Sequence, residues 1–173
     1  MKNKERNQVG ESSCNDLLRV ELAAVEIYEL ADKLLGEESD APDYASLREG
    51  HRSQVEQLMA YLKSIDGAAR PQELSWDRPR TAILAAATIY GSESPLDLLR
   101  QQEEEIVETY QQAVEHGPKA GTAGGAFLAG QLARSRALCD RVKAFAEQES
   151  RESVEQDVEH LDTQRERKRD AVA

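Results

Sequence analysis

"ELAAVEIY" (residues 21–28) and "EEEIVETY" (residues 103–110) each place a glutamate seven residues before a tyrosine, once in each half of the chain. Residues three, four and seven apart share one face of an α-helix. Glu21 follows Leu17 by four residues and precedes Val25 by four, so it lies on the stripe that should be apolar. Glu103 has the same relation to Leu99 and Tyr110. A glutamate facing solvent needs no such position. A carboxylate facing a core must be paired, hydrogen-bonded, metal-bound or protonated.

The flanking sequence extends the match. "NDLLRVELAAVEIYELA" lies over "DLLRQQEEEIVETYQQA", with Asn15 on Asp97, Leu17 on Leu99 and Tyr28 on Tyr110. The alignment implies two related helix pairs with approximate two-fold symmetry. Four amphipathic helices emerge from the periodicity. The first begins near Ser12 or Ser13, either of which suits a cap, and ends at Gly36. It carries Leu17, Leu18, Val25, Tyr28, Ala31 and Leu35 inward. The second, entered near Pro42, faces Tyr44, Leu47, His51, Val55, Leu58, Leu62 and Ile65 to the core. The third starts with Ser94 as cap and Pro95 at the first helical position. It turns Leu99, Glu103, Ile106, Tyr110 and Ala113 inward and stops at Gly117, a residue suited to a left-handed terminus. The fourth runs from about Gly124 to Glu147, with Leu128, Leu132, Leu138, Val142 and Phe145 inside.

Residues 67–94 are too many for a tight turn. They include Trp76 and "TAILAAATIYG", and are expected to travel the length of the bundle. Short links join antiparallel neighbours, and one long crossover marks a ferritin-like arrangement over a simple up-and-down bundle. The sequence thus reads as all-α, in three parts. Residues 1–12 form a polar arm and 13–147 the four-helix bundle. Residues 148–173 form a charged helical extension or tail.

Composition narrows the function classes. The chain has 173 residues, 39% hydrophobic and 5% aromatic, which favours a helical core built from Leu, Ala and Val. The net charge of −11 repels phosphate backbones and anionic lipid surfaces, so neither nucleic acid nor membrane is an expected partner. Cys14 and Cys139 are too few for a disulfide framework. "MKNKERNQVGESS" has no apolar signal region, and a cytoplasmic location is expected. "GPKAGTAGG" lacks the GK[ST] ending of a phosphate-binding loop. His116 reads as a helix-terminus cation, and the "RERKR" run (165–169) with His160 as parts of a solvated segment.

The topology, the Glu-x6-Tyr pairs and "AILAAATIYGSESPLDLLRQQEEEIVETYQQAVEHG" resemble the ferritin-like superfamily, which includes rubrerythrins and bacterioferritins. The likeness covers residues 14–146 and is nearest to bacterial ferritin-like proteins of unknown function. In di-iron members, helices one and three each give a glutamate, and helices two and four each give Glu-x-x-His. The resemblance maps Glu21, His51 and Glu103 onto metal-ligand positions. The glutamate expected three residues before His51 is Arg48 here, and helix four offers only Gln131 with Arg134 or Ser135. Arginine cannot ligate a metal but can compensate a buried carboxylate. The expectation is therefore a degenerate di-iron site: Glu21 and Glu103 in a polar layer with Arg134 or Arg48, assisted by Tyr28, Tyr110 and Gln131. No cofactor is expected in that case, and the chain would be a non-catalytic structural or interaction protein that forms a homodimer. The alternative is an iron- or manganese-binding oxidoreductase or iron-handling protein using Glu21, His51 and Glu103.

Overall fold

A computed structural model describes residues 2–35, 43–69 and 94–170, with side chains over 10–35, 43–69 and 94–151. Those residues form four α-helices and no strand: α1 (Lys2–Leu35), α2 (Tyr44–Ser64), α3 (Pro95–His116) and α4 (Ala123–Asp170). The expectations placed on Gly36, Pro42, Trp76 and "TAILAAATIYG" lie outside the described residues.

Local chemistry sets the helix ends. Asp43 caps α2, its carboxylate accepting from the Ser46 backbone N–H at 2.8 Å. Thr122 does the same for α4, its hydroxyl accepting from Gly125 N–H at 3.1 Å. Ser94 stands at the N-cap of α3 with Pro95 after it, but makes no side-chain cap bond. Its hydroxyl donates instead to Glu149 on α4. The start of α1 differs from expectation: helix extends back to Lys2, so Ser12 and Ser13 are interior residues rather than caps. The segment before them is polar, yet it is rich in Lys, Glu, Arg and Gln, which favour helix. Gly117 also departs from expectation. Its backbone is extended (φ −86°) rather than left-handed, and glycine is required because a Cβ would collide with the Ala113 carbonyl oxygen.

Side-chain contacts fix the packing directions. At one end, Asn15 of α1 donates to the Ala68 carbonyl beyond α2 at 3.0 Å. Tyr61 of α2 stacks on Phe127 of α4 near that end, with ring centroids 4.3 Å apart. At the other end, Arg48 near the start of α2 faces Asp32 near the end of α1 at 3.5 Å. There too, Arg141 of α4 donates to Ser46 at 3.1 Å. Hence α1 is antiparallel to α2, and α2 to α4. Glu103 of α3 meets Tyr28 of α1, while Tyr110 of α3 interacts with Glu21, so α1 and α3 are also antiparallel. Ala68 and Ser94 therefore stand at opposite ends of the bundle.

The core repeats the internal match. Cys14, Leu17, Glu21, Ala24, Tyr28 and Ala31 of α1 are buried. So are the residues that the alignment sets over them in α3, in the same order: Leu96, Leu99, Glu103, Ile106, Tyr110 and Ala113. Buried Tyr44, Leu47, His51, Gln54, Val55, Leu58 and Leu62 of α2 have counterparts at the same spacing in α4. These are Leu128, Gln131, Ser135, Leu138, Cys139, Val142 and Ala146, all buried. Two helix pairs thus present matching inner faces. Gly50 lets α2 and α4 approach, since a Cβ there would lie 2.7 Å from Leu138 Cδ2.

Candidate functional site

Three ionisable side chains from three helices meet in the centre of this core. Glu21, His51 and Glu103 are each fully buried. The His51 Nδ1 lies 2.8 Å from Glu21 Oε2 and its Nε2 lies 2.9 Å from Glu103 Oε1. The imidazole therefore bridges the two carboxylates, one at each ring nitrogen. The Tyr28 hydroxyl donates to the same Glu103 Oε1 at 2.8 Å, and its ring stacks on His51 with centroids 5.2 Å apart. Gln54 donates from Nε2 to Glu21 Oε1 at 3.1 Å.

The electrostatics follow from this geometry. Burial alone would lower the pKa of His51, but the Glu103 and Glu21 carboxylates outweigh it and hold the ring cationic, with a pKa pushed up to about 10. An imidazolium carries two N–H donors, which matches a carboxylate at each nitrogen. Burial raises the pKa of Glu21 above its ordinary value, against the lowering influence of His51. Burial first, and then Glu103, pushes the Tyr28 hydroxyl well above its usual range. Tyr110 is raised likewise, by burial and then by Glu21. Tyr110 faces Glu21 closely enough to feel its charge, yet the approach falls short of a hydrogen bond of good geometry, and its hydroxyl lacks a partner among the described residues. Glu103 Oε2, Gln54 Oε1 and Ser135 Oγ are unpartnered in the same sense.

The layer contains Glu21, His51, Glu103, Tyr28 and Tyr110, as the inward spacing implies. The arginines are placed otherwise. Arg134 is exposed, and Arg48 reaches out to Asp32 at 3.5 Å. Neither guanidinium pairs with Glu21 or Glu103, so compensation of the carboxylates falls to His51. The physical reason is helical phase. Arg134 precedes buried Ser135 by one residue, and Arg48 follows buried Leu47 by one, a rotation of about 100° that turns each away from the core. Gln131 is buried but donates to Gln57 Oε1 at 2.9 Å, away from the carboxylates. Gln54 belongs to the layer although the sequence reading does not single it out. The signal for it is spacing: it stands three residues after His51 and four before Leu58, on the same stripe.

A metal ion needs lone pairs that converge on one point. The two nitrogens of His51 point away from each other, and each is engaged by a different carboxylate. Among the described residues, no group of three or more His, Cys, Asp or Glu side chains is arranged to hold a metal ion. The donor set in this arrangement does not fit the di-iron centre that the resemblance implies.

Outside the layer, the nucleophile candidates are weak. Burial pushes the Cys14 thiol up to about 12 and also raises Cys139, so neither is poised as a thiolate. His116 is exposed at the end of α3, its Nδ1 3.0 Å from the Gln112 carbonyl oxygen. No helix among the described residues is long and apolar enough to cross a membrane. Comparison with protein-family models, curated proteins and solved structures found no match to this chain.

Proposed function

We propose that this chain is a ferritin-like bundle whose degenerate carboxylate layer is held by a histidine cation in place of metal. It acts as a non-catalytic structural or interaction protein, and it self-associates as a dimer. The observation that supports this reading is His51, bound at both ring nitrogens by Glu21 and Glu103 with no solvent exposure. A buried imidazolium between two carboxylates is a stable end-state for charge that would otherwise attract a cation from solution. It offers no open coordination position and no approach for a substrate, both of which metal-assisted redox chemistry requires.

The test is metal analysis of protein produced with added iron or manganese. The proposal predicts far less than one metal ion per chain and a melting temperature unchanged by chelation. Two metal ions per chain, lost on Glu103→Ala, would establish the alternative of a metal-binding oxidoreductase or iron-handling protein. Sedimentation or light scattering tests the dimer, which a monomer at all protein concentrations would exclude.

A further inference from the structure

The fourth helix outruns the bundle. Arg141 stands level with Ser46 near the start of α2, and Glu149 receives the Ser94 hydroxyl at the start of α3. Asp32, near the end of α1, lies at the same end. Past Glu149, α4 continues to Asp170, beyond the described ends of the other three helices. At 1.5 Å per residue that is about 30 Å of helix. The core has already been left behind: Ala146 is buried, whereas residues 147–151 are all exposed. A helix without tertiary packing is only marginally stable in water, so one of this length gains from a partner.

The sequence of the overhang says which partner. Val154, Val158 and Leu161 follow at spacings of four and three, which places them on one face. Residues 152–162 contain five acidic residues and no Lys or Arg. Residues 165–169, "RERKR", are basic. One helix thus carries both members of a complementary pair of charge blocks. Antiparallel pairing about a centre near position 160 sets Glu152 and Glu155 level with the basic block of a second copy, twice over by symmetry, and overlaps the two apolar stripes. Parallel pairing would set each block against its own kind.

We propose that residues 150–170 of α4 are the self-association element, two copies pairing them antiparallel about a two-fold axis. The proposal rests on the dimer inferred above and names its contact.

The test is sedimentation of the full chain and of two charge-reversed forms, Glu152→Lys/Glu155→Lys and Arg167→Glu/Lys168→Glu. Each form alone sets like charges against each other, so its dimer should dissociate about tenfold more readily than wild type, or more. Mixed in equal amounts, the two forms should restore a dimer of wild-type strength. The bundle should melt as in wild type in both, because the changed residues lie outside the core. A wild-type dimer that neither form weakens, a mixture that fails to restore it, or head-to-tail polymers in place of a closed dimer would overturn this contact and leave self-association standing. A wild-type chain that is monomeric at all concentrations would defeat both.

Discussion

At the scale of single residues, the protein turns on how one imidazole satisfies two buried carboxylates. Removing His51 leaves Glu21 and Glu103 facing each other without compensation. Breaking a buried pair from one side costs about 3–5 kcal/mol. His51→Ala should therefore lower unfolding free energy by that order in urea titrations at neutral pH. A loss below about 1 kcal/mol would mean that His51 carries little of the layer's charge balance. The pH dependence has a definite sign. His51 is raised from 6.5 to about 10, so its contribution is full below pH 6.5 and is lost as pH climbs through about 10. Glu21 is raised too, so it also favours the fold more at low pH than at high. Stability should thus fall progressively on the alkaline side, and His51→Ala should flatten that fall. The layer was legible in the sequence only in part. Spacing alone put Glu21, Glu103, Tyr28, Tyr110 and His51 inside. It did not say that His51 bridges the carboxylates, because that depends on the distance between helices and not on the order of residues along one.

At the scale of elements, caps and close approaches set where helices begin and how near they lie. Thr122 bonds the first turn of α4 and Ser94 makes no such bond in α3. Thr122→Ala should cost about 1 kcal/mol, and Ser94→Ala less, in matched denaturation experiments. Both residues have the composition of a cap, so sequence could not distinguish them. Ser94 is diverted by Glu149, a residue far along the chain on α4. Gly50 shows a second competition. Gly→Ala in a helix interior gains up to about 1 kcal/mol, but here the new Cβ meets Leu138 Cδ2 at 2.7 Å. Because that methyl is the far end of a flexible side chain, Gly50→Ala should be near neutral. Gly50→Val adds bulk that Leu138 cannot clear and should destabilise by about 1–3 kcal/mol. Combined with Leu138→Ala, the loss should be smaller than the sum of the two single changes, measured as a double-mutant cycle. An additive result would mean that α2 and α4 do not touch at this point.

At the scale of the whole molecule, the duplicated inner faces explain why four helices close around a polar centre. Each helix pair supplies one glutamate and one tyrosine to the layer, and the tyrosine of α1 reaches the glutamate of α3. The repeat in the sequence announced this arrangement. The asymmetry between His51 and Ser135 was legible only after α2 and α4 could be aligned by burial, since their sequences share little else. His51 should be a doubly protonated imidazolium that holds both carboxylates without metal. Nitrogen-15 NMR of the His51 ring in metal-depleted protein, from about pH 7 to about pH 9, measures this most directly. The prediction is two protonated ring nitrogens across that range, each with a slowly exchanging N–H. A neutral ring with one unprotonated nitrogen at neutral pH would contradict it and would place the proton on a glutamate instead.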